Sequence, residues 1–159
     1  MDQVDRQIRA ALPTEGEEEA LAERDDARRW LRDHADRAYP RVRALAQATP
    51  DDEGLIELLG LFRRAESTPF LTATLRGGGE AARQAGVALG LSPDPAAHEV
   101  LAQALTSSEN TVVKGGLDGL RARGDATDCP LILPLARHPD PEIRGLAALV
   151  ADALSCPAS

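Results

Sequence analysis

Apolar residues recur along this chain at steps of three and four, interrupted by short breaks rich in Asp, Asn, Gly and Pro. That is the pattern of consecutive amphipathic helices. The clearest stretch is HPDPEIRGLAALVADAL, His138 to Leu154. It holds a loop, a proline suited to the first turn of a helix, and a small-residue apolar helix with a cation one turn in. Ile143, Leu146, Ala147, Val150 and Leu154 share one face of that helix.

Earlier segments repeat the stretch. LAQALTSSENTVVKGGLDGL, from Leu101, lies thirty residues before LILPLARHPDPEIRGLAALV, from Leu131. In this register Leu105 matches Leu135, Asn110 matches Asp140, and Val113-Lys114 matches Ile143-Arg144. One unit earlier, Ala82-Arg83 precedes Val113-Lys114 by thirty-one residues. The most divergent copy places Leu45-Ala46 ninety residues before Leu135-Ala136, which is three periods. The repeat predicts helix pairs over 40–48 with 52–65, 68–76 with 79–91, 96–107 with 110–123, and 129–138 with 141–154.

Ahead of the repeats, Val4, Ile8, Ala11 and Leu12 form a short amphipathic helix stopped by Pro13. Thr14 and Glu17 then match a capping box, and Glu15, Glu17, Glu18 and Glu19 suit the dipole of the helix they open. Ala20, Leu21, Ala27, Trp30, Leu31, Ala35 and Tyr39 are expected on one face of that helix, with Trp30 as a core anchor. Five glycines, Gly86, Gly115, Gly116, Gly119 and Gly145, fall inside inner helices. Each costs about 1 kcal/mol of helix propensity relative to Ala, and close approach of a neighbouring helix is the expected compensation. On propensity alone the third inner helix, with three of them, should be the least stable.

Composition narrows the picture. The 159 residues suffice for one domain with a core, and with only 3% aromatics that core must be Leu, Ala, Val and Ile. A net charge of −8, from 26 acids against 18 bases, disfavours grip on a phosphate backbone as the main task. Lys114 is the only lysine beside seventeen arginines, a bias that suggests a GC-rich bacterial genome. Cys129 and Cys156 lack CxxC-like spacing, so neither a disulfide framework nor a zinc site is expected. No basic-then-apolar leader and no bilayer-length apolar run is seen, which makes cytoplasmic the default expectation.

The pattern DPEIRGLAALVADAL, with sister copies at Arg83 and Lys114, resembles HEAT repeats of the short bacterial, bilin-lyase (PBS-lyase) type. The resemblance covers about 40–155. It implies an all-α fold, an α-α superhelix of about four helical hairpins, with 1–37 as an N-terminal helical cap and 38–159 as the repeat domain. It further implies a concave face, lined by inner helices, that binds another macromolecule.

Arg83, Lys114 and Arg144 form a column at the start of successive inner helices. Either the column grips an acidic partner, or it is a ladder in which each cation meets the turn acid or carbonyls of its own or the next repeat. Asp118, Arg121 and Asp152 are expected to point into the concave groove and are the other candidates for partner contact. No catalytic residue, cofactor or metal ligand is assigned. Iron hydroxylases of related architecture use several His-Glu pairs, whereas this chain has only His98-Glu99, read as a helix-surface histidine. Gly77-Gly78-Gly79 reads as a flexible turn in preference to a phosphate cradle. The expected function is a non-enzymatic scaffold or adaptor for another protein. Self-association through an apolar Leu149, Val150 and Leu154 face is a further option. An enzyme of the lyase or metal-hydroxylase type is the alternative, and nucleic-acid binding ranks below it.

Overall fold

The computed structural model describes residues 2–13 and 20–157. The Thr14–Glu17 capping box and the glutamates around it lie outside the described residues. Within them the fold is all-helical, with ten α-helices, three short 3₁₀ segments and no strand.

Helix α1 (Gln3–Ala11) does more than rest on the surface. It buries Val4, Ile8 and Ala11 and packs against α2 (Ala20–Asp33), which contributes Ala27 and Leu31. The long helix expected to run through Tyr39 is broken at His34, whose φ of −116° and ψ of 35° leave the helical region. The imidazole of His34 stacks on Trp30, with ring centroids 4.0 Å apart, and its Nδ1 is 2.8 Å from the Trp30 carbonyl. Trp30 is therefore half-buried at an edge of the core and not a central anchor. The next helix, α3, spans Ala35–Ala48, so the expected boundary at 37/38 falls inside it and Pro40 lies in its interior.

From α3 onward the pairs follow the sequence period closely. They are α3 with α4 (Glu53–Leu61), α5 (Thr68–Arg76) with α6 (Gly79–Gly90), and α7 (Pro95–Ala104) with α8 (Asn110–Arg123). The last is α9 (Cys129–Ile132), extended by a 3₁₀ segment over Leu133–Arg137, with α10 (Pro141–Ala153). The first helix of this pair tightens because Pro134 has no N–H to give the Pro130 carbonyl, four residues back. Side-chain caps start several helices: Asp52 accepts from Leu55 N, Asp94 from Ala96 N, and Asp140 from both Glu142 N and Ile143 N. The second helices of the pairs touch in sequence, α4 on α6, α6 on α8, and α8 on α10. Their buried faces are aliphatic: Ile56 and Leu59, Ala82 and Leu89, Val113 and Leu117, Ile143 and Val150.

The closest of these contacts is between α6 and α8. A Cβ built on Gly86 or Gly90 would overlap the carbonyl groups of Gly115 or Gly119, and one on Gly115 would sit 2.6 Å from the Ala82 carbonyl oxygen. Gly116 admits α7 in the same way, 3.0 Å from the Leu101 carbonyl oxygen. Helix propensity is sacrificed at these sites, and backbone-to-backbone packing offsets it. Gly145 departs from the expectation, since a Cβ there would meet nothing within 4 Å. The terminal face also differs: Leu149 is 62% exposed, but Val150 and Leu154 are buried.

Cys129 and Cys156 form a disulfide, with Cα atoms 5.5 Å apart, which corrects the expectation of no disulfide framework. Sequence spacing was the wrong guide, because proximity comes from the fold. After α10, Ser155 adopts φ of 55° and Cys156 N donates to the Ala151 carbonyl at 2.8 Å. That turn carries Cys156 back onto the start of α9.

Gly86→Ala should lower stability by about 2 kcal/mol or more through overpacking, while Gly145→Ala should leave it unchanged or raise it by up to about 1 kcal/mol. Urea titration of both variants checks the contrast. Closing the loop between two cysteines 27 residues apart is worth about 3.5 kcal/mol in the chain-entropy account. Reduction, or Cys129→Ser with Cys156→Ser, should therefore lower the melting temperature by roughly 10 °C, read by calorimetry with and without reductant.

Candidate functional site

The second helices of the pairs carry all six residues singled out from the sequence, and the structure divides them by what they touch. Arg83, on α6, donates Nε to Asp118 Oδ2 at 2.7 Å and Nη2 to Asp118 Oδ1 at 3.2 Å, a two-pronged pair across the α6–α8 seam. The Asp118 side chain is only 14% exposed. This hydrogen bond is the largest of the influences that raise the Arg83 pKa above its ordinary value. Lys114, on α8, is largely buried and pairs with Glu142 of α10. Arg144 donates Nη1 to the carbonyls of His138 and Pro139, at 2.8 and 3.0 Å, and so ties down the loop before its own helix. Asn110 Nδ2 donates to Asp140 Oδ2 at 2.7 Å, thirty residues along.

The cationic column is thus occupied by contacts within and between helix pairs: Arg144 meets carbonyls of its own loop, whereas Arg83 and Lys114 meet acids within the next second helix, and the turn residues Asn110 and Asp140 bond to each other. Asp118, expected in the open groove, is spent on Arg83. Arg121 and Asp152 are exposed, and neither has an ion pair among the described residues. Glu53, Glu80, Arg83, Gln84, Val87 and Asp118 line a shallow depression of about 180 Å³ on α4, α6 and α8. Its wall is charged with both signs, which suits a polar partner surface better than a buried apolar ligand.

Two contacts escaped the sequence reading. His98 is not a free surface histidine: its Nε2 donates to Asp128 Oδ1 at 2.6 Å, and Asp128 is 2% exposed. Arg123 Nε stands 3.8 Å from the other carboxylate oxygen. Two pairs earlier, the buried Tyr39 and Ser67 hydroxyls meet at 2.8 Å in the same way. In each case a polar ring on the first helix of one pair holds the 3₁₀ turn that leads into the first helix of the next. The signal was present in the sequence, since AESTPF at Ala65 and ATDCPL at Ala126 are sixty-one residues apart and share Ala, Pro and the intervening hydroxyl or acid. Glu99 does not join His98, and among the described residues no three His, Cys, Asp or Glu side chains converge as a metal site would require.

The glycine turn before α6 is also used internally. Gly78 and Gly79 take φ of 73° and 74°, and Gly79 N donates to Thr111 Oγ1 at 2.9 Å. This amide is not free to hold a phosphate.

Comparison with protein-family models and with curated proteins found no match. No helix is long and apolar enough to cross a membrane among the described residues.

The Asp140 carboxyl is held below its ordinary value near 3.8. Desolvation pushes it up, but hydrogen bonds from the Ile143 and Glu142 amides, with the Lys114 and His138 charges, outweigh it. A depressed carboxylate stabilises the fold above its unfolded pKa and loses that contribution as pH falls through its folded pKa. Asp140→Asn, which keeps a capping oxygen but no charge, should therefore be less stable than the parent at neutral pH and converge with it in strong acid. Urea midpoints across an acid titration check this.

Proposed function

We propose that the protein is a HEAT-like α-solenoid, capped by α1 and α2, that acts as a non-enzymatic scaffold for another protein. The observation that carries this reading is the row α4, α6, α8 and α10, each second helix packed on the one before. Such a row presents a broad surface whose shape is set by internal packing and not by a bound ligand. Of the six residues singled out, Arg83, Lys114, Asp118 and Arg144 are committed to contacts inside the fold, leaving Arg121 and Asp152 to meet a partner beside Glu53, Glu80 and Gln84 of the depression. The partner suited to them has a mixed-charge surface. A polyanion would face an overall charge of −8 and a column of spent cations.

The disulfide bears on where this takes place. Disulfides are uncommon in a reducing cytoplasm and persist in oxidising surroundings. Our reading is accordingly of a scaffold that works where thiols oxidise, in place of the cytoplasmic location expected from the sequence.

Arg121→Glu combined with Asp152→Lys should abolish capture of the partner protein from the native lysate and leave the melting temperature within a few degrees of the parent. Asp118→Asn should instead cost about 1–2 kcal/mol, because it weakens the partner of a half-buried guanidinium. Loss of melting temperature in the double variant, or undiminished capture, would count against the proposed surface.

A further inference from the structure

The arginines that bridge elements in this fold spend their donors. Arg28 gives Nε to the Ala11 carbonyl and Nη1 to Glu57, Arg83 clasps Asp118, and Arg144 closes on two carbonyls. Arg64 is different. It stands where the chain leaves α4 and enters the 3₁₀ turn over Ala65–Ser67, with its side chain 33% exposed. Its guanidinium lies over the Tyr39 ring, 5.0 Å from the centroid. The Tyr39 hydroxyl is bonded to Ser67, which fixes the ring beneath it. Its acidic neighbours, Asp36 and Glu66, are 3.6 and 3.7 Å away, close enough to attract but too far to accept a hydrogen bond. The planar fork of donors is held in place by these two ion pairs and makes no hydrogen bond among the described residues.

Beside it is a cavity of about 380 Å³ between α3 and that turn. Asp36, Pro40, Arg43 and Gln47 come to its wall from one face of α3, at helical steps of four, three and four. Arg43 is half-buried and has neither an ion pair nor a hydrogen bond among the described residues. Tyr39, Pro40 and Ala44 provide apolar surface, and Glu66 completes the lining opposite. The volume is within the range of small-molecule sites. Two cationic forks without a protein hydrogen-bond acceptor are suited to an oxyanion, and the planar guanidinium matches a carboxylate in two-pronged fashion. Asp36 and Glu66 bring negative charge to the same cavity, which penalises a phosphate dianion and attracts a cation.

We propose that this cavity is a binding site for a small zwitterion of the amino-acid class. The ligand carboxylate is held by Arg43 and Arg64, and its ammonium lies toward Asp36 and Glu66. The site uses α3 and the first 3₁₀ turn and shares no residue with the surface assigned to the protein partner.

The test is calorimetric titration of the intact protein with L-lysine, acetate, putrescine and inorganic phosphate as separate probes. The expected result is saturable binding of L-lysine, weaker binding of acetate and none of putrescine. Arg43→Gln should weaken L-lysine binding about tenfold or more through loss of charged hydrogen bonds, and Arg121→Gln should not change it. Because Arg64 also packs on Tyr39, Arg64→Gln is read together with its melting temperature, whereas Arg43→Gln should melt like the parent. No saturable L-lysine binding, unaltered binding in Arg43→Gln, or phosphate bound more tightly than L-lysine would each overturn the proposal.

Discussion

Two helices in this protein approach until backbone meets backbone. Gly86 and Gly90 on α6 face Gly115 and Gly119 on α8, and none of the four positions has room for a Cβ. The neighbouring contacts of α6 and α8 fit around that separation. Arg83 can reach Asp118 with both prongs because the seam brings α6 and α8 so near. Gly60, whose added Cβ would lie 2.7 Å from that of Ala88, continues the tight packing toward α4, and Gly116 continues it toward α7. With few aromatics available, the core gains density by bringing small side chains and bare backbone together. The dispersion contacts of such a seam are individually weak and collectively large.

Polar contacts then fix the order and spacing of the pairs. Lys114 with Glu142, Asn110 with Asp140, and Gly79 with Thr111 each join positions about one repeat apart. His98 with Asp128, and Tyr39 with Ser67, do the same for the first helices of the pairs. Exposed pairs of this kind add little stability one by one. Their value is in register, since a slip of one turn would leave largely buried charges such as Lys114 and Asp118 without partners. At the C-terminal end, where α10 lacks a glycine seam with α8, the disulfide supplies the restraint that close packing provides elsewhere.

The helix pairs were legible in the sequence because their breaks are written in residues with strong local preferences. Asp140 before Pro141 and Asp94 before Pro95 cap their helices where the pattern places the starts. The break at His34 was not legible: the apolar face continues through it, and only a side chain bonding to the carbonyl four residues back marks the interruption. Pro130 and Pro134 announced an irregular first helix in the last pair, yet the period alone gave them a full one. The disulfide depends on the left-handed turn at Ser155, a conformation that a serine does not advertise. Gly145 and Leu149 show the limit of register, since matching Gly115 and Gly119 in sequence did not give them a neighbouring helix. For the site, sequence located the charged column but not its partners, because a cation looks the same whether it is spent or free.

Propensity and packing give opposite orders of stability for α8, the helix with three glycines, and amide hydrogen exchange under native conditions distinguishes them. If the glycine seam organises the fold, amides of α6 and α8 are the most protected in the protein and open together, at the free energy of global unfolding. Amides of α10 then exchange sooner, and sooner still after reduction of the disulfide. If α8 exchanges before α10 in the oxidised protein, glycine has weakened that helix more than the seam repays, and the account is wrong at its centre.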